Sequence, residues 1–186
     1  MRLPFLLKGG FMQKAKVKIK GIAPLLMNRF AMEKPEDTKA KRRDEQYDVK
    51  EEAEKALYKD DKIGCYAPSV WIEASLREAG KEFKSAKGRG TQKATILSSV
   101  FIDPEKIPLN KKTYDELDVR PVVIQRNRVV KGRPKFNSWE LEFTINFNED
   151  RIKKDTLKQI LEEAGVSKGI GDYRPKFGRF EVVKFE

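Results

Sequence analysis

Between Lys168 and Arg179 the chain reads Lys-Gly-Ile-Gly-Asp-Tyr-Arg-Pro-Lys-Phe-Gly-Arg, so twelve residues hold four cations, three glycines and two aromatics. Glycines at 169, 171 and 178 let backbone amides come close to a phosphate, because no Cβ stands in the way. Lys168, Arg174, Lys176 and Arg179 supply charge, and Tyr173 and Phe177 supply rings on which bases stack, typically worth roughly 1–3 kcal/mol each. The bland alternative is a helix C-cap followed by a surface turn whose aromatics belong to the core. A second basic stretch, residues 120–135, has six cations and no acid. Within it Arg126, Arg128, Lys131 and Arg133 are placed to grip a phosphodiester backbone, or to decorate a solvated hairpin. A third, residues 81–93, holds Lys84, Lys87, Arg89 and Lys93 around two glycines. It follows a helix C-terminus, whose dipole attracts cations with or without a ligand.

These three segments together carry +13 in a chain whose formal net charge is +11, which leaves the rest of the 186 residues slightly acidic. Charge concentrated on glycine-containing segments is the footprint of a polyanion-binding surface. The residue inventory excludes other chemistries. No histidine is present, which removes His-based triads and nearly every zinc site. The single cysteine, Cys65, permits no intramolecular disulfide and reads as a small core residue. No cofactor or metal is expected. Carboxylates at Asp37, Asp44, Asp48, Asp60 and Asp61 leave open a metal-dependent endoribonuclease, although nothing singles out one of them. No apolar run reaches the length of a membrane span, and Leu3–Leu7 is too short for a secretory h-region. A cytoplasmic location is expected.

The elements that must carry these residues follow from periodicity. Ala15, Val17 and Ile19 alternate with Lys14, Lys16, Lys18 and Lys20, which predicts a half-buried strand. Residues 31–62 form a charged insertion, with a short helix expected over 45–58 and a short strand over 62–66. Pro68 opens a helix running to about Lys84, with Ile72, Leu76, Ala79 and Phe83 on one stripe. Ile96–Ile102 reads as a strand stopped by Asp103-Pro104. Residues 103–137 form a second insertion containing a basic β-hairpin. Trp139, Leu141, Phe143, Ile145 and Phe147 alternate with polar residues in the clearest strand of the chain. Ile152–Ala164 is a helix stopped by Gly165, and Arg179–Phe185 is a final strand.

With the insertions removed, the order is strand, helix, strand, strand, helix, strand. That predicts one α+β domain over 1–186 of the ferredoxin-like βαββαβ type: an antiparallel sheet with both helices on one face. In that arrangement the first and third strands are neighbours. The lysine stripe therefore faces Glu140 and Glu142 as cross-strand pairs, and the sheet lacks the exposed aromatics of an RNA-recognition platform.

Two βαβ halves with a glycine-rich loop between the second helix and the last strand resemble the RAMP superfamily of CRISPR ribonucleoprotein subunits. The loop is Gly169–Phe180. The helix from Pro68 to the basic Lys87-Gly88-Arg89-Gly90 looks like the family's first helix, and the hairpin looks like the thumb of subunits that coat guide RNA. The chain is shorter than most such subunits and lacks the histidine of the guide-processing members. The resemblance implies a single strand of RNA or DNA passing the glycine loop, and side-by-side self-assembly along it as a homo-oligomer or filament. The expected function is therefore non-catalytic, mainly electrostatic and weakly sequence-specific binding of single-stranded nucleic acid. The alternatives are the carboxylate nuclease and a protein-interaction module whose basic patches meet an acidic partner.

Overall fold

The computed structural model describes residues 12–30, 48–85, 88–124 and 127–186, without the side chains of 124 and 127–129. The elements are β1 (Met12–Gly21), β2 (Leu25–Leu26), α1 (Val49–Lys55), β3 (Lys59–Asp60), β4 (Gly64–Pro68), α2 (Ser69–Ala79), α3 (Gln92–Ser99), β5 (Val100–Asp103), β6 (Lys106–Pro108), β7 (Glu116–Ile124), β8 (Asn127–Phe136), β9 (Glu140–Asn148), α4 (Lys154–Glu163) and β10 (Phe180–Phe185). A π-helical turn, Ala164–Lys168, extends α4.

β1, β5, β9 and β10 form one antiparallel sheet in the order β10-β1-β9-β5. Counting only these four strands, that is the order 4-1-3-2, the ferredoxin-like arrangement. Alternation sets its two faces. Ala15, Val17 and Ile19 of β1 and Leu141, Phe143, Ile145 and Phe147 of β9 are buried on one face, where Ile72, Leu76 and Ala79 of α2 and Leu157, Ile160 and Leu161 of α4 join them. Each such large side chain contributes roughly 1.5–3 kcal/mol by leaving water.

The opposite face carries the lysine stripe. β1 and β9 pair Lys18 with Glu142 and Lys20 with Glu140. Lys18 Nζ lies 3.0 Å from a carboxylate oxygen of each of Glu140 and Glu142. Hydrogen bonding to Glu140 and then Glu142 raises the Lys18 pKa. The expectation of an aromatic-free open face needs one correction, since Phe101 of β5, opposite Asn146, is 51% exposed.

Several elements differ in extent from the periodicity reading. The helix from Pro68 ends at Ala79 rather than about Lys84, and Ile96–Ile102 is split between α3 and β5. A Cβ on Gly80 would sit 2.4 Å from Ile96 Cδ1, so the absence of a side chain there lets α3 pack against the end of α2. Ile96 and Val100 are four residues apart, a spacing that satisfies both period 2 and period 3.6. Ser98 and Ser99 hydroxyls donate back to the Ala94 and Thr95 carbonyls, which closes the helix before the strand begins. Of the helix expected over 45–58, the described part is α1, capped by Asp48; residues 45–47, like the rest of 31–47 in the charged insertion, lie outside the described residues.

The expected hairpin is longer than its β-rich core. β7 and β8 pair from Glu116↔Lys135 out to Ile124↔Asn127. Its base is tied to the main domain by β2, whose Leu25 and Leu26 pair with Phe136 and Lys135. α1 packs on the hairpin so closely that a Cβ on Gly132 would lie 2.3 Å from the Val49 carbonyl oxygen. The Gly132 amide donates to Glu52 at 2.9 Å.

Candidate nucleic-acid interface

The glycine loop runs from the π turn to β10 and folds tightly on itself and on β2. Gly169, Gly171 and Gly178 all have positive φ, at 67°, 78° and 72°. The Gly169 amide donates to Ala164 O at 2.8 Å, Ile170 N to Gly178 O at 2.9 Å, Asp172 N to Leu26 O at 2.9 Å and Gly178 N to Pro24 O at 2.8 Å. The amides of Gly169 and Gly178 are thus directed into the fold, not toward a ligand. What the loop presents outward is side chains: Tyr173, Arg174, Pro175, Lys176 and Arg179 are exposed. Arg174, Lys176 and Arg179 have no ion pair with any described residue.

Phe177, expected to stack on a base, is only 6% exposed. Its ring packs edge-to-face against Tyr173, centroids 6.1 Å apart, and lies 4.8 Å from the Arg120 guanidinium carbon. Phe177 therefore anchors the loop. Tyr173, 45% exposed, is the aromatic left at the surface.

Arg120 and Arg133 bring the hairpin onto this loop. The β7–β8 register places Arg120 beside Lys131 and Asp118 beside Arg133, so these four share one face of the ribbon. Asp118 accepts from Arg120 Nε at 2.7 Å and from Nη2 at 2.9 Å. That pairing raises the Arg120 pKa further and aims its guanidinium at both loop rings, 5.4 Å from the Tyr173 centroid. Arg133 donates from Nε to Asp172 at 2.6 Å and lies 5.7 Å from the Tyr173 centroid. Cation–π contacts of this kind are worth about 0.5–2 kcal/mol each. Arg133 was expected at the surface as a backbone grip, but it is 6% exposed and already paired. Lys131 is half-buried beside it.

The third basic segment joins through Lys168, whose Nζ lies 3.2 Å from Glu82 in the connection between α2 and α3. That connection is pinned by Ser85 N to Gly90 O at 2.8 Å and by Gln92 N to Phe83 O at 2.9 Å. It leaves Lys84, Arg89 and Lys93 exposed. Lys87 and Arg126 lie outside the described residues, as does the side chain of Arg128. An open hollow of about 410 Å³ lies along the loop, lined by Lys168, Gly171, Asp172, Tyr173 and Arg174 among others.

The three basic segments, separate in sequence, are thus linked by two ion pairs, Arg133–Asp172 and Lys168–Glu82. The sequence reading missed Arg120, Asp118 and Glu82. Only the cross-strand register and the docking of the loop reveal them, and neither leaves a local signal.

Of the carboxylates considered for metal-dependent cleavage, Asp48 and Asp60 have other partners, and Asp61 is exposed. Asp48 accepts from the Lys50 and Glu51 amides as the α1 cap. Asp60 pairs with Lys106 at 2.6 Å, and that bond, followed by the Lys62 amide, lowers its pKa. Asp37 and Asp44 lie outside the described residues. Among the described residues no cluster of three or more metal-ligating side chains occurs, and no helix is long and apolar enough to cross a membrane.

No known family's sequence profile matches the chain, and no curated protein does. Solved structures do match in fold. One is a chain from the type III-B Cmr-beta complex, seen by cryo-EM bound to cognate target RNA. It superposes with a TM-score of 0.51 at 12% identity, over 94% of this chain and 60% of that one. The present chain therefore spans about three-fifths of that chain's length, and at this identity the likeness is one of fold.

Proposed function

We propose that the protein binds single-stranded nucleic acid, RNA in the first instance, along the surface formed by the glycine loop, the hairpin base and the α2–α3 connection. It binds without cutting and works as one subunit of a larger nucleoprotein. The observation that carries this reading is the joining of three basic segments through Arg133–Asp172 and Lys168–Glu82. Beside those pairs, Arg174, Lys176 and Arg179 remain exposed without acidic partners among the described residues. The ferredoxin-like likeness to a chain of an RNA-bound type III-B complex supports RNA and a multi-subunit setting.

Exposed cations and one surface ring favour backbone contacts over extensive base recognition. Binding should therefore be salt-dependent, with a log–log slope of about −0.7 per phosphate contacted on a single strand. Fluorescence anisotropy with a 30-nucleotide RNA and its DNA counterpart, over a salt series with and without Mg²⁺, tests the proposal. Replacing Arg174, Lys176 and Arg179 together by Ala should make the slope about 2 units shallower. An unchanged slope, or no binding at low salt, refutes this surface. Mg²⁺-dependent shortening of the RNA refutes the non-catalytic reading.

A further inference from the structure

Arg133 is the one described arginine buried in the junction of hairpin and loop, and it is incompletely satisfied. Its Nε donates to Asp172, while Nη1, on the opposite side of the guanidinium, is buried and has no hydrogen-bond partner among the described residues. A buried donor left unpaired costs roughly 1–3 kcal/mol, so the position calls for an acceptor from elsewhere. The surroundings identify its kind. Arg133 with Asp172 and Arg120 with Asp118 make two closed ion pairs, so the charge of each arginine is already balanced by a carboxylate rather than held for a phosphate. What remains is a neutralised, rigidly held N–H donor. Asp172 orients it and Tyr173 lies over it, and those same two residues help to line a hollow of about 410 Å³, roomy enough for a nucleobase.

A neutral acceptor next to an aromatic face is the description of a base edge. Among bases, guanine presents O6 and N7 side by side, the pair that arginine meets best. Tyr173, 45% exposed and held with φ at 61°, covers the guanidinium. A base reaches Nη1 by displacing that ring, which then stacks on it.

Resting on the nucleic-acid reading above, we propose that Arg133 and Tyr173 form a base-reading subsite that selects guanine within an otherwise backbone-directed interface. The test varies the strand rather than the protein. Affinities are compared for three RNAs of equal length in a uridine background, with guanine, adenine or 2-aminopurine at every fourth position. 2-Aminopurine lacks the O6 acceptor. The guanine strand should bind on the order of tenfold more tightly than the adenine strand, and 2-aminopurine should behave like adenine. Arg133→Lys keeps the charge but removes the Nη1 donor, so it should abolish the preference for guanine over adenine. If that variant fails to fold, the base series on the native protein still decides. Equal affinity for all three strands with the salt slope intact overturns the subsite and leaves the electrostatic interface standing, as does a preference that survives removal of O6. Absence of binding to every strand overturns both.

Discussion

Replacing Gly178 by Ala tests whether the glycine loop is a tightly packed turn or a phosphate cradle. A Cβ at this position would lie 1.7 Å from the Ile170 carbonyl oxygen, a backbone atom with no rotamer to escape into. The residue also has φ +72°, which costs an L-residue about 1–2 kcal/mol. Relief of the clash must pull Gly178 away from Ile170 and Pro24. That strains two bonds, Ile170 N to Gly178 O at 2.9 Å and Gly178 N to Pro24 O at 2.8 Å, worth about 0.5–1.5 kcal/mol each. The expected loss is therefore about 3 kcal/mol, which for a chain of this size lowers Tm by roughly 6–12 °C. Gly88 is the control. It too has positive φ, at 94°, but a Cβ there meets nothing within 4 Å, so Gly88→Ala should cost only the backbone term of about 1–2 kcal/mol. Urea denaturation of both variants, with RNA binding measured where both remain folded, separates the cases. If Gly178→Ala is no less stable than Gly88→Ala yet binds RNA poorly, the loop's glycines serve the ligand and our account of the loop is wrong.

Removing the lysine stripe with Lys14→Ala, Lys16→Ala and Lys20→Ala together should leave RNA affinity within about twofold at 150 mM salt, since the open sheet face lies outside the proposed interface; a tenfold loss by anisotropy would place the strand on the sheet. Burial raises the Cys65 pKa and the residue has no exposed surface, so it should stay unmodified by a thiol reagent at pH 8 until the protein is unfolded, as mass spectrometry would show. Trp139→Phe removes the indole N–H that donates to Ala23 O at 2.8 Å and strands a buried carbonyl, so it should cost about 1–3 kcal/mol in urea titrations. Hydrogen bonds from Lys135 to Glu116 and from Lys81 to Glu78 hold both carboxyls below their ordinary pKa. A depressed acid stabilises the fold above its unfolded pKa and loses that contribution as pH falls through its folded pKa. Thermal melts should therefore decline below about pH 4.5 and stay flat from there to neutrality.

Where one physical signal dominated, the sequence was enough. β9 alternates without interruption, and its partner across the sheet, β1, has the same period with charges that match Glu140 and Glu142. Those two strands and the second helix imply the four-stranded topology. Where two signals coincided, reading failed: Ile96 and Val100 fit a strand and a helix equally well, and only packing against Gly80 decides between them. The site divides the same way. Exposed cations at Arg174, Lys176 and Arg179 follow from composition. The burial of Phe177 and Arg133 does not, because Phe177 meets Arg120 and Arg133 meets Asp172 across long stretches of chain, the latter 39 residues apart. The glycines were legible as glycines, but the partners of their amides were not. Pro24 O takes the Gly178 amide and Ala164 O that of Gly169, while Leu26 O, in the same aperiodic segment as Pro24, takes the Asp172 amide.

That segment, residues 24–27, has an unusual share of responsibilities. In four positions its carbonyls at 24 and 26 receive the loop, Leu25 and Leu26 pair with β8, and the Met27 amide donates to Pro134 O at 3.1 Å. Loop and hairpin thus share one hinge-pin at the end of β1. Drift in this short stretch is constrained by two neighbours at once, whereas the outer hairpin answers to none of those bonds. Descendants of this sequence can lengthen, shorten or recharge the hairpin's far end with little consequence for the loop. A change of backbone path at residues 24–27 would misplace both structures together.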